Sequence, residues 1–128
     1  MIVFDRTGGP AMADKTCRRL IPGPSQRIRN HSPDGFEWGY GGSGPAQLAL
    51  AILLDYFGGL PVDRRPQMET APRLAEQLYQ EFKFDVIAGL PKNFWQIEES
   101  EIAMWIEARE SAKTYFRAKF DGARSEGL

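Results

Sequence analysis

The residue types best suited to catalysis are concentrated between positions 31 and 45. This segment holds the chain's single histidine, His31, together with Asp34, Ser43 and five of the 13 glycines. In a small hydrolase, His31 would be the general base, Asp34 would orient it and Ser43 would be the nucleophile. Pro45 occupies the last position of the Gly-x-Ser-x-Gly nucleophile elbow, so that motif is incomplete. A serine that caps the following helix explains the pattern better, and we assign no catalytic residue.

The glycines of this segment favour a different chemistry, the binding of an anion. Gly41, Gly42 and Gly44 lead directly into a predicted helix, and a helix N-terminus presents free N–H groups and a positive dipole end. Glycine also lets the backbone approach a ligand closely. The spacing matches neither a Walker loop nor a dinucleotide-binding fingerprint. A tight turn into a packed helix explains the glycines equally well.

Aromatic and basic residues surround the glycines. Phe36, Trp38 and Tyr40 alternate with other residues, so on a strand they would share one face. That face could stack on a ligand beside the guanidinium groups of Arg27 and Arg29, or it could belong to the core. The candidate ligand-binding residues are therefore Arg27, Arg29, His31, Asp34, Trp38, Tyr40, Gly41, Gly42, Ser43 and Gly44.

Composition excludes several classes of protein. The single cysteine, Cys17, rules out an internal disulfide framework, and one histidine with scattered carboxylates does not form a zinc site. We expect no metal and no cofactor. The 16 basic and 17 acidic residues give a net charge of −1, which disfavours nonspecific nucleic-acid binding. The longest apolar run, residues 48–54, is far shorter than the ~20 residues of a membrane span. No secretory signal is visible, so we expect a cytoplasmic protein in the host cell.

The elements that would position these residues indicate an α+β fold. A strand is predicted over residues 1–6, and strands over 26–30 and 36–40 would form a hairpin around a turn at 32–35. Helices are predicted over residues 46–57, with Ser43 as N-cap, over 71–88, and from Ser100 past position 116. A small antiparallel sheet in the N-terminal hairpin region would then pack on about three helices. We expect one domain over residues 1–120 and a flexible tail over 121–128.

Residues 31–53, with the sequence HSPDGFEWGYGGSGPAQLALAIL, resemble the signature of a small family of unknown function found in bacteria, phages and plasmids or other mobile elements. Residues 79–83, 87–88 and 95–106 are similar to the family's downstream pattern, so the resemblance covers about residues 26–108. It implies an accessory protein of a phage or mobile element. It brings no established activity and no catalytic residue.

Taken together, these features favour a non-catalytic phage or mobile-element protein that counters a host defence system. Its partner would be a phosphate-bearing small molecule, such as a nucleotide signal, or a host defence protein, and no membrane is involved. A homo-oligomer is compatible with this hypothesis. The alternative is a small hydrolase or nucleotide-processing enzyme that uses His31, Asp34 and Ser43. A structural or assembly protein is a third alternative.

Overall fold

The computed structural model describes residues 2–5, 12–13, 18–33, 35–65, 69–92 and 94–126. Side chains are described for residues 20–33, 35–61, 63–65, 69–92 and 95–121. Cys17 and Asp34 therefore lie outside the described residues.

Helices make up most of the described chain. The five α-helices are α1 (Gly23–Ile28), α2 (Ser43–Gly58), α3 (Ala71–Asp85), α4 (Glu99–Glu107) and α5 (Arg109–Glu126). Short 3-10 turns follow α2 and α3, at Val62–Arg64 and Ile87–Gly89. None of the helices within these described ranges is both long and apolar enough to cross a membrane.

Helix α2 is the centre of the core, as its sequence predicts. Its residues from Gly44 to Leu53 are all buried, and so is Phe57. A helix that is apolar around nearly its whole circumference can only be accommodated inside the protein. Helix α3 packs along α2 through an apolar stripe that includes Leu74 and Phe82. The predicted start of this helix at position 71 is confirmed, whereas it ends at Asp85 rather than at position 88.

The third predicted helix is present as two helices. The chain leaves helical geometry at Ala108 (φ −145°, ψ 65°), which separates α4 from α5. Buried residues lie on both sides of this break, among them Ile102, Trp105 and Phe116. The N-cap is Glu98 rather than Ser100, and Glu98 forms a capping box with Glu101.

The strands are short. They are β1 (Ile2–Asp5), β2 (Met12–Ala13), β3 (Arg18–Arg19) and β4 (Phe94–Ile97), and their backbones pair antiparallel in the order β3-β2-β1-β4. The register of β1 on β4 runs from Ile2 opposite Ile97 to Asp5 opposite Phe94. Strand β4 alone includes described side chains. The strand predicted at the N-terminus is thus present, and it pairs with a strand over residues 94–97.

The predicted fold class is nevertheless wrong, because the described chain is mostly helical and no sheet from the 26–40 hairpin packs on the helices. Residues 26–28 belong to α1, which begins beside Pro22 and Pro24. Proline is tolerated in the first turn of a helix, so a segment with turn chemistry starts a helix instead. Residues 36–40 have no regular secondary structure. Only the turn itself is confirmed: the Gly35 N–H donates to the Ser32 carbonyl at 3.3 Å, and Gly35 has φ +108°.

The division into a domain over 1–120 and a flexible tail over 121–128 stays a prediction. The backbone of α5 continues through that boundary to Glu126.

Candidate functional site

The glycine loop, defined here as residues 39–44, is anchored at its start to the segment that precedes β4. Trp38 is 2% exposed, and its indole N–H donates to the Pro91 carbonyl at 2.9 Å. The Gly39 N–H donates to the Ile87 carbonyl at 2.9 Å, and Gly39 has φ +85°, a conformation that favours glycine. Trp38 is therefore a core residue, and the part of the loop that can face a ligand starts after it.

Two exposed aromatic rings lie against the glycine loop. Tyr40 is 48% exposed and Phe84 is 63% exposed. A Cβ atom at Gly41 would lie 3.1 Å from Cε1 of Phe84, and one at Gly42 would overlap the Tyr40 ring. A side chain at either glycine would therefore have to displace one of these exposed rings.

Each of these rings has a lysine ammonium over its face. Lys83 Nζ lies 4.1 Å from the centroid of the Phe84 ring, and Lys92 Nζ lies 5.0 Å from that of Tyr40. Both distances are within the ~6 Å of a cation–π contact. Lys92 also donates to the Trp38 carbonyl at 2.6 Å. Among the described residues, no carboxylate is ion-paired with either lysine. We call Tyr40, Gly41, Gly42, Lys83, Phe84 and Lys92 the aromatic–lysine surface.

His31 lies within the electrostatic influence of Lys83 and is hydrogen-bonded to helices α2 and α3. Its Nε2 is hydrogen-bonded to the Tyr79 hydroxyl of α3 at 2.6 Å, and its backbone N–H donates to Gln47 Oε1 of α2 at 2.8 Å. Burial lowers the pKa of His31, and the positive charges of Arg29 and Lys83 lower it further. The imidazole is therefore held in its neutral form near pH 7.

Gln47 organises the segment that carries His31. Its side chain is fully buried in α2, yet all its hydrogen bonds go to the chain around α1. It accepts from the N–H groups of His31 and Ser32 at 2.8 and 3.1 Å, and it donates to Ser25 Oγ and the Arg29 carbonyl at 2.8 and 3.1 Å. Gln47 is the only polar side chain among residues 44–54, and this isolated amide is the sequence signal for its role.

The structure does not assemble a serine–histidine pair. Ser43 is exposed at the first position of α2, and no hydrogen bond joins it to His31 in the part of the chain that is described. The N-cap of α2 is Gly42, without a side-chain cap, so the prediction that Ser43 caps this helix is wrong. Asp34, the third candidate, lies outside the described residues.

The amides predicted to receive an anion, those of residues 42–46, are partly covered. Gly44 is buried, and a Cβ there would lie 2.5 Å from Glu37 Cβ. The Ala46 N–H donates to the Gly42 carbonyl at 3.0 Å, and Pro45 has no N–H. The open edge of the loop is consequently at Gly41 and Ser43, both exposed, and an anion at this edge stays a prediction.

The two predicted basic residues, Arg27 and Arg29, are exposed, as the sequence suggests. Arg29 forms an ion pair with Glu76 of α3, with Nε 2.7 Å from Oε1. The residues that sequence reasoning missed come from more distant segments: Tyr79, Lys83 and Phe84 from α3, and Lys92 from the loop before β4. The sequence signal for these residues is the spacing of Tyr79 and Lys83, which lie one helical turn apart and therefore share a face of α3.

The described residues contain no group of three or more His, Cys, Asp or Glu side chains that could hold a metal ion. The groups that the described site offers to a ligand are its aromatic rings, its lysine ammonium groups and its backbone.

No curated protein and no solved structure matches this chain significantly. A family model described as a family of unknown function, DUF6166, matches residues 5–108. The matched region contains His31, the glycine loop, α3 and Lys92, and thus the whole aromatic–lysine surface. Since the match covers most of the 128 residues, the chain belongs to the DUF6166 family of unknown function.

Proposed function

We propose that this protein is a non-catalytic binding protein whose ligand is a phosphate-bearing, nucleotide-type small molecule. The observation that carries the proposal is the pairing of each exposed ring, Tyr40 and Phe84, with a lysine ammonium at the edge of the glycine loop. An exposed aromatic ring offers a stacking surface for a planar base, worth about 1–3 kcal/mol per base. An ammonium group attracts phosphate oxygens through charge-assisted hydrogen bonds.

The electrostatics of this surface support an anionic ligand. Lys83 is only 8% exposed, and water screens the charge of a largely buried cation less than that of an exposed one. The same charge acts on His31, whose pKa it helps to lower. The backbone of Gly41 is also exposed at the edge of the loop, where a ligand can contact it.

The contacts of His31 support binding over catalysis. Its Nε2 is hydrogen-bonded to the Tyr79 hydroxyl. A general base would instead need a hydrogen bond to the nucleophile Ser43. We further propose that the protein acts for a phage or mobile element and sequesters a nucleotide signal of host defence.

Binding is tested by isothermal titration calorimetry with adenosine and guanosine monophosphates. Gly42→Ala displaces the exposed Tyr40 ring, and loss of one stacking contact of about 1–3 kcal/mol weakens binding roughly fivefold to more than a hundredfold. The melting temperature should change little, since Tyr40 is outside the core.

Gly58→Ala is the matched control, because no atom lies within 4 Å of a Cβ at that position. It should leave the affinity unchanged. Absence of binding by the native protein, or equal affinity of the Gly42→Ala and Gly58→Ala variants, would rule out the proposal.

A further inference from the structure

A cleft of about 350 Å³ lies between the C-terminal end of α3 and helix α5. Its lining includes the buried rings of Phe116 and Phe120, which stack with centroids 5.8 Å apart. Four charged residues also line it: Asp85, Lys113, Arg117 and Asp121. The lining of the cleft therefore combines apolar rings with charged side chains.

The charges of the cleft are not equally available to a ligand. The Asp85 carboxylate accepts a hydrogen bond from Trp105 Nε1 at 2.9 Å and lies 3.9 Å from Lys113 Nζ. Lys113 is also 3.3 Å from a carboxylate oxygen of Glu110. Arg117, one turn further along α5, is exposed and has no ion pair with any carboxylate of the described chain. Arg117 is thus the cation best placed to receive an anion from outside.

Phe84 connects this cleft to the aromatic–lysine surface. The ring that lies against Gly41 and under Lys83 is also part of the lining of the cleft. A planar group stacked on Phe84 would therefore have Lys83 and the glycine loop on one flank and Arg117 on another.

We infer, on the basis of the proposed function, that the ligand carries two separated anionic groups around one stacked base. The first phosphate lies at Lys83 and Lys92 beside the glycine loop, the base stacks on Phe84 and also contacts the Tyr40 ring, and the second phosphate is bound by Arg117. The ligand class is a nucleoside bisphosphate with one phosphate on each side of the ribose.

The test compares adenosine monophosphate with an adenosine bisphosphate phosphorylated on both sides of the ribose, by calorimetry on the full chain. The native protein should bind the bisphosphate at least tenfold more tightly than the monophosphate. Arg117→Ala should remove most of that difference and change the affinity for the monophosphate less than twofold. Arg64→Ala, which removes an exposed arginine from the 3-10 turn after α2, should change neither affinity.

Equal affinity of the native protein for both nucleotides, or equal weakening of both by Arg117→Ala, would overturn the two-anion inference while leaving the proposed function standing. Failure of both nucleotides to bind the native protein would instead remove the proposed function, and this inference with it.

Discussion

His31 provides a built-in reporter of the charge on its surroundings, because it is the only histidine in the chain. Burial and the cations Arg29 and Lys83 lower its pKa below 6.5. A bound phosphate at Lys83 would add negative charge near the imidazole and stabilise its protonated form. We therefore expect a nucleotide to raise the pKa of His31 towards its ordinary value.

NMR titration of the imidazole against pH measures this shift directly, with no overlap from other histidines. Adenosine, which has the base but no phosphate, is the control and should leave the pKa nearly unchanged. A nucleotide that binds without moving the His31 pKa more than adenosine does would place the phosphate away from Lys83.

The hydrogen bonds of the Gln47 side chain are expected to stabilise the folded chain. Gln47→Leu keeps a similar side-chain volume in α2 but leaves the N–H groups of His31 and Ser32 without their acceptor. An unsatisfied buried donor costs about 1–3 kcal/mol, so we expect the free energy of unfolding to fall by about 3 kcal/mol.

Urea unfolding followed by circular dichroism measures this loss. Gln77→Leu, an exposed position on α3, is the control and should change the stability by no more than ~0.5 kcal/mol. Equal effects of the two substitutions would show that the Gln47 network contributes nothing to stability.

Helices α4 and α5 are linked by hydrogen bonds to one buried carboxylate, that of Glu101. Glu101 is 8% exposed, accepts from the Glu98 N–H at 2.7 Å and is hydrogen-bonded by Tyr115 and Lys119 of α5. Burial alone would raise the pKa of Glu101, but the hydrogen bonds from Glu98, Lys119 and Tyr115 lower it below 4.5. The bond to Glu101, together with burial, raises the pKa of Tyr115 to about 12. Lys119 also donates to the Gln96 carbonyl of β4 at 2.9 Å.

This cluster predicts a specific loss of stability in acid. Because the pKa of Glu101 is lower in the folded chain, its contribution is present above the ordinary value of 4.5 and is lost as the pH falls through the folded-state pKa. Glu101→Gln should lower the free energy of unfolding by roughly 2 kcal/mol at neutral pH, with a smaller difference in acid.

Denaturant unfolding at a series of pH values tests this, with Glu110→Gln as the matched control. The Glu110 side chain is 91% exposed, so its substitution should have little effect at any pH. A constant deficit of the Glu101→Gln variant from neutral to acid pH would contradict the assigned role of ionised Glu101.

The elements also show how far sequence reasoning reaches. Helices α2 and α3 are predictable because their apolar spacing is a local property. Helix α1 is not, since Pro22 and Pro24 are equally compatible with a turn and with a first helical turn. The break at Ala108 carries neither glycine nor proline, so nothing in the local sequence marks it.

In the candidate site, too, some features can be predicted from the local sequence and others cannot. The density of glycine around Gly41 and Gly42 indicates a loop of this kind. It does not show that the rings of Phe84 and Tyr40 lie where side chains at these positions would be. Phe84 follows Gly41 by more than forty residues, and His31 meets Tyr79 across a separation of 48. Such contacts depend on how α3 packs on α2, which no local spacing encodes.

For the whole molecule, the proposed function predicts that a nucleotide binds stoichiometrically and stabilises the folded chain. A nucleotide that binds only the folded chain stabilises it by about 2.7 kcal/mol at a hundred times its Kd. For a domain of 128 residues, this corresponds to a rise in Tm of about 10 °C. Calorimetry should show saturation near one ligand per chain, because the aromatic–lysine surface occurs once in each molecule.

Catalysis predicts a different outcome for the same sample. With ligand in large excess, a binding protein stops at one equivalent, and chromatography after heat denaturation recovers the ligand unchanged. An enzyme would continue past that point and release a chemically altered ligand. His31→Ala separates the two further: loss of a general base lowers a rate by ~100-fold or more, whereas a binding site that uses His31 only as a neighbour of Lys83 keeps its stoichiometry. Product formation that depends on His31 would establish the hydrolase alternative in place of binding.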